Sequence, residues 1–244
     1  MESGNDEKLW MDKYQPKKIE DLDYNHQITN ILKTIAQKED FPHLIFYGAE
    51  GAGKKTRIRA LLSLLYGQGV NKTNSEIREL KVNSTNVEYL ITSSNYHLEL
   101  TPSDADHHDR VIIQKVIKES ASTAQIDTKN QRNFKIIVLQ EIDNLTKEAQ
   151  AALRRTMEKY MKSCRLIMSC NSLTKIIPPI RSRCLSIRVP CPTNNDIKTI
   201  LNNIKITEKL SNISDKQIDS IIQSSDRNIR RAINSLQLSK ILFI

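Results

Sequence analysis

The string Gly48-Ala49-Glu50-Gly51-Ala52-Gly53-Lys54-Lys55-Thr56 follows the apolar run His43-Leu44-Ile45-Phe46-Tyr47 and opens a helical pattern from about Lys55 to Tyr66. The G-x-x-x-x-G-K spacing lets the backbone wrap a phosphate closely and aims successive N–H groups at its oxygens. Lys54 neutralises the outer phosphates, and the following helix adds the positive end of its dipole to the same anion. A Gly-rich surface turn needs neither flank. Strand, turn and helix come here in the order phosphate binding requires, so Gly48, Gly51, Ala52, Gly53, Lys54, Lys55 and Thr56 are the candidate nucleotide-binding residues. ATP or ADP is the expected ligand.

Magnesium is the doubtful part. Lys55 stands where the motif places a Ser or Thr hydroxyl on the ion. Thr56 comes one residue late, and a one-residue step on a helix turns the side chain about 100° from the site. The companion motif is an apolar strand ending in a metal-binding Asp. Phe134 to Leu139 supplies the strand, but Gln140 occupies the acidic position, and a neutral carboxamide holds a divalent cation weakly. Glu141 remains and is the candidate for residual activation of a water. The phosphate cradle is thus kept while both metal positions are changed, and no metal-ligating residue is assigned. With the ion gone, Lys55 is expected to place its ammonium against the β-phosphate.

Charge narrows the partners. The 244 residues hold 37 Lys and Arg against 28 Asp and Glu, a net charge of +9, which favours an acidic partner, nucleic acid first. There is no run of 18 apolar residues, and Met1 to Glu7 is polar and acidic, so the chain reads as intracellular and without a membrane span. Cys164, Cys170, Cys184 and Cys191 form no C-x-x-C pair and are expected as free thiols packed as small hydrophobes.

Along the chain, Ile28, Ile31, Leu32 and Ile35 predict a helix, and Gly67 to Thr92 a hairpin-like excursion. Tyr96 to Leu100 alternates as a strand, a helix starts near Asp109, and strands at 134–139 and 165–169 flank a helix from about Thr146 to Tyr160. Leu185 to Val189 is a further strand. Strands alternating with helices, several apolar on both faces, predict an α/β fold with a parallel sheet covered on both sides. At Pro190-Cys191-Pro192 the pattern changes, and everything beyond reads helical, at 195–204, 215–223 and 228–238. The expected organisation is a nucleotide-binding domain over 1–190 and a small helical lid over 191–244.

These residues resemble the small subunits of replication factor C, the eukaryotic sliding-clamp loader of the AAA+ superfamily. The resemblance runs from Trp10-Met11-Asp12-Lys13-Tyr14-Gln15-Pro16 through Ala149 to Glu158 and Ile180-Arg181-Ser182-Arg183-Cys184 to Arg230. The Gly-Lys-Lys-Thr loop and the lost acidic strand end are similar to those of the subunit that closes one end of the ring, a poor or inactive ATPase. The resemblance implies a hetero-oligomeric ring with other clamp-loader subunits, a sliding clamp and primer-template DNA as partners, replication and repair as the setting, and the nucleus as the location. It makes Arg183 the arginine finger that reaches the γ-phosphate of a neighbouring subunit, a charge that can be lent in trans because it acts mainly in the transition state.

By the same resemblance, Asn171 is the first sensor, Arg230 the second sensor in the lid, and Tyr14 and Pro16 border the adenine. Gln15 replaces the family's Arg, and Arg227 stands where it has a glycine three residues before the second sensor. Family members track DNA phosphates with helix N-termini. Lys147 lies in the first turn of its helix, an odd place for a cation unless a phosphate docks there, and Arg110 holds the equivalent place in the preceding helix. Arg154 and Arg155, with Glu158 nearby, are expected to make structural or interface pairs. The family's third, helical collar domain would begin about where this chain ends. Two other functions fit the same residues: a competent AAA+ ATPase relying on Glu141, and a basic DNA-binding protein with a vestigial nucleotide fold.

Overall fold

The computed structural model describes residues 8–82, 85–122, 134–210 and 212–242. Its centre is a sheet of 7 strands in the order β2-β3-β4-β5-β6-β1-β7. The strands are β1 (His43–Tyr47), β2 (Asn74–Val82), β3 (Thr85–Ser93), β4 (His97–Leu100), β5 (Lys135–Leu139), β6 (Cys164–Cys170) and β7 (Cys184–Arg188). From β4 to β7 every pairing is parallel. The expectation of a parallel sheet needs one correction: β2 and β3 form an antiparallel hairpin, and β3 runs antiparallel to β4, so the sheet is mixed. The hairpin lies where the excursion over Gly67 to Thr92 was expected, and it carries apolar residues on both faces. Leu80, Val87, Tyr89 and Ile91 turn inward, whereas the paired Ile77 and Leu90 lie exposed on the outer face.

Helices cover both faces. On one, α2 (His26–Gln37) and α3 (Lys54–Tyr66) bring Ile28, Leu32, Ile58 and Leu61 onto Leu44, Phe46, Ile136 and Val138. On the other, α4 (Asp109–Ser122) and α5 (Lys147–Lys159) bring Ile112, Val116, Leu153 and Met157 onto Ile45, Ile137, Leu139 and Met168. Adjacent residues of β1 and β5 are therefore buried on opposite faces, which is why these strands read as continuous apolar runs. The four cysteines are free thiols, and Cys164 and Cys170 are fully buried on β6.

After β7 the chain is helical: α7 (Asn194–Thr207), α8 (Asp215–Ser224) and α9 (Ile229–Leu242). Thr193 and Ser214 start the first two with capping boxes, each side chain exchanging hydrogen bonds with the third helical residue. Leu201, Ile218, Ala232 and Leu236 build a separate apolar core, and Trp10 of the one-turn helix α1 (Trp10–Lys13) is buried in it. The N-terminal segment thus packs with the last helices. Among the described residues no helix is long and apolar enough to cross a membrane.

His43, at the start of β1, is buried and accepts a hydrogen bond at Nδ1 from the Leu166 N–H at 3.0 Å. Burial, reinforced by the Arg165 cation, pushes its pKa down to about 4 from 6.5. The folded state therefore refuses a proton that the unfolded chain accepts below 6.5. The stability this contributes is complete above pH 6.5 and lost as pH falls toward 4, roughly 3 kcal/mol in all. Urea unfolding should show about 2 kcal/mol less stability at pH 5 than at pH 7. His97, depressed in the same direction by burial, adds to the slope, so His43→Gln should flatten it only in part, and an unaltered slope would refute the assignment.

Candidate nucleotide site

The loop after β1 continues the parallel ladder for one more step on each side. The Gly48 N–H donates to the Cys170 carbonyl at 3.4 Å and the Val189 N–H to the Tyr47 carbonyl at 2.7 Å. Gly48 has φ +155°, and a Cβ there would stand 2.0 Å from the Val189 carbonyl oxygen. Gly51, at φ +72°, is covered by the lid: a Cβ would meet the Asn228 side-chain oxygen at 2.0 Å. Glycine is required at both positions, by backbone conformation and by close approach. The Tyr24 hydroxyl donates to the Ala52 carbonyl at 3.0 Å, and fully buried Arg57 stacks on the Tyr24 ring while bonding the Tyr24 carbonyl at 2.9 Å. Tyr24 and Arg57 thus brace the loop from beneath.

Lys54 opens α3 and folds back into the loop. Its Nζ donates to the carbonyls of Gly48 at 2.7 Å and Ala49 at 2.9 Å, and to Asn171 Oδ1 at 2.7 Å. Burial lowers the ammonium's pKa, while the carboxylates of Asp143 and Glu50 oppose that shift. Asn171, just past β6, is fixed in turn by its backbone N–H bond to Asp143 Oδ2 at 3.0 Å. The two residues expected to meet the outer phosphates are therefore brought together, with buried Asp143 holding the second in place.

The metal positions have a different chemistry. Lys55 Nζ pairs with Glu99 Oε1 of β4 at 2.8 Å. The Gln140 Nε2 donates to the same oxygen at 3.2 Å, and its Oε1 accepts a short hydrogen bond from Ser169. Thr56, turned away as its helical position requires, accepts a hydrogen bond from Gln15 at 3.2 Å. An ammonium and a carboxamide thus stand where magnesium needs a hydroxyl and a carboxylate, and the residues present do not fit the ion. Glu141 follows Gln140 in a left-handed conformation, φ 53°, its carboxylate accepting from Asn144 Nδ2 at 3.0 Å. A non-glycine residue held there costs about 1–2 kcal/mol.

The rim is shared between the chain's two ends. Gln15, between Tyr14 and Pro16 in the chain, bridges Thr56 and Arg59 on α3. The Tyr14 ring meets Trp10 edge-on, and its hydroxyl donates to Glu208 at 2.5 Å. Lys13 and Lys240 bond the same carboxylate at 2.6 and 3.0 Å. Burial alone would raise the Glu208 pKa, but these three donors outweigh it and hold it down to about 2. At the start of α9, Arg230 reaches Glu50 of the loop at 3.6 Å. Arg227 adopts φ 61° in the place of the expected glycine, with its Nε bonded to the Pro192 carbonyl at 3.0 Å.

Arg183 lies elsewhere, on the turn between α6 (Pro178–Arg181) and β7, tied to Glu158 of α5 at 2.6 Å and to the Pro179 carbonyl at 2.8 Å. Arg154 meets the same Glu158 carboxylate at 3.4 Å, a structural pair of the expected kind. Arg110 and Lys147 are exposed in the first turns of α4 and α5. Buried Asp109 links those helix starts by accepting from the Thr146 N–H at 2.8 Å and the Thr146 hydroxyl at 3.1 Å. Glu99, Asp143, Asp109 and Glu208 all escaped the sequence analysis. For Glu99 the signal was present: an acidic residue inside a strand expected to be covered on both faces.

Residues 24–193 match the family described as DNA polymerase III, delta subunit. The chain is 48% identical over 226 residues to replication factor C subunit 3 of Homo sapiens, covering 92% of this chain and 63% of that protein. It is 42% identical over 236 residues to replication factor C subunit 5 of Saccharomyces cerevisiae, covering 94% and 67%. The chain belongs to the replication factor C small-subunit family. It spans less than two thirds of the length of the human member. A RuvB protein of Thermotoga maritima shares the fold with a TM-score of 0.61 at 15% identity, over 92% of this chain and 64% of that one. Gly48 abuts the carbonyl of Val189, the residue after β7. Gly48→Ala should lower stability by about 1–3 kcal/mol through overpacking against the Val189 carbonyl, read as an earlier urea midpoint, and an unchanged midpoint would contradict the geometry.

Proposed function

We propose that this chain is the nucleotide-holding, weakly hydrolysing subunit of a hetero-oligomeric clamp loader that places a sliding clamp on primer-template DNA in the nucleus. One observation carries the reading: the phosphate cradle of Gly48, Gly51, Gly53 and Lys54 is complete, while Lys55 and Gln140 leave no ligands for the ion that hydrolysis needs. ATP or ADP then serves as a structural ligand between the sheet domain, proposed as 1–190, and the helical lid, proposed as 191–244. Asn171 and Arg230 contact its phosphates and Tyr14 and Pro16 border its base. Trp10 reinforces the lid from the other end of the chain.

Arg183 completes a neighbouring subunit's ATP site. Its place on an exposed turn, held by surface bonds to Glu158 and the Pro179 carbonyl, suits a group that must leave its parking contacts when a partner docks, because exposed pairs of this kind contribute little. The paired starts of α4 and α5 supply the DNA contacts. Arg110 and Lys147 offer charge there without reading sequence, so their loss should weaken binding uniformly and flatten the salt dependence.

In the assembled complex, Arg183→Ala should reduce ATP turnover by about 10³-fold or more at the neighbour's site while leaving this chain's own nucleotide in place. Equal turnover by wild type and variant would remove the finger assignment. Turnover by the isolated chain that disappears on Glu141→Gln would instead establish the competent-ATPase alternative.

A further inference from the structure

Glu99 joins the two altered metal positions into one unit. Its carboxylate is nearly buried, and one oxygen takes both the Lys55 ammonium at 2.8 Å and the Gln140 amide at 3.2 Å. Ser169 donates to the Gln140 carbonyl oxygen and so directs the amide's N–H group toward Glu99. The set is mutually dependent. An Asp at position 140 would put a second carboxylate beside the first, and like charges at that distance repel strongly in a buried setting. A Ser or Thr at position 55 would strand the Glu99 charge without its cation. Burial alone would push the Glu99 pKa up, yet Lys55 and, farther off, Arg59 pull it below its ordinary value.

We propose that Glu99 restrains the Lys55 ammonium and partly neutralises it where the divalent ion would otherwise stand, leaving the loop a metal-independent site of moderated affinity for the polyphosphate of a nucleotide. This rests on the nucleotide reading above and adds to it a residue and a rule. The cation offered to the phosphates is Lys55, and its effective charge is set by Glu99. The pairing cancels much of that charge, so the site gives up some nucleotide affinity in return for a buried network that stays satisfied in both the empty and the filled states. Lys55 remains half-exposed, so a phosphate oxygen can reach the ammonium without displacing Glu99.

The test is displacement of a fluorescent ADP by ADP and by ATP on the purified chain, in EDTA and in magnesium, with thermal melts to confirm folding. Wild type should bind equally in both buffers. Glu99→Gln keeps an acceptor for the Gln140 amide and frees Lys55, so it should bind about tenfold tighter in EDTA, the value of one charge-assisted hydrogen bond. Lys55→Ala should lose about tenfold in EDTA, and adding Glu99→Gln to it should restore nothing. If wild type binds in neither buffer, the nucleotide reading itself fails. If it binds only with magnesium, metal independence fails. If Glu99→Gln is neutral or weaker, or its gain persists without Lys55, the holding role of Glu99 fails while the nucleotide reading stands.

Discussion

Everything at the site follows from β1 lying between β6 and β7 with all three strands running the same way. Parallel pairing brings their carboxyl ends to one edge of the sheet, where open α/β folds bind ligands. The loop beginning at Gly48, Asn171 after β6 and the turn through Val189 are far apart in the chain, yet each leaves its strand at that edge. Three backbone pairings, Ile45 with Met168 and Ser186 and Tyr47 with Cys170, fix their heights. A slip of one residue would exchange the buried faces of β1 and at the same time pull Asn171 away from Lys54. Register and function are thereby selected by the same apolar contacts.

The sheet and its helices were legible because their signals are local. Apolar runs marked the strands, the 3.6-residue period marked the helices, and the Pro190-Cys191-Pro192 break marked the change to helices only. The glycine loop was legible because phosphate chemistry admits few solutions. What stayed hidden depends on pairs distant in sequence. Nothing near Glu99 names Lys55 as its partner, and nothing near Trp10 says that its indole is buried among residues past 196. The outer face of the β2–β3 hairpin stayed hidden for another reason: Ile77 and Leu90 are apolar and exposed, against the rule that period-based reading relies on.

Arg227 shows how a departure from a family's pattern can be absorbed. A left-handed residue is needed just before α9, and glycine takes that conformation without strain. Arginine takes it at a cost of about 1–2 kcal/mol, offset in part by the hydrogen bond from its guanidinium to the Pro192 carbonyl. The helix start is kept where Asn228 covers Gly51, so the lid meets the loop despite the altered residue.

The burial of Trp10 among the last helices also bears on how the chain folds. The Trp10 backbone N–H donates to the Gln237 side-chain oxygen at 3.0 Å across a sequence separation of 227 residues. During synthesis the indole must wait for α9, on the order of ten to forty seconds at ribosomal speeds, while the sheet between them assembles from nearer contacts. The lid core therefore closes after the strands of the sheet have been made, and its closure brings α1 against α9. A nascent chain stalled before α9 would hold a folded sheet domain with an exposed tryptophan, a species suited to capture by chaperones.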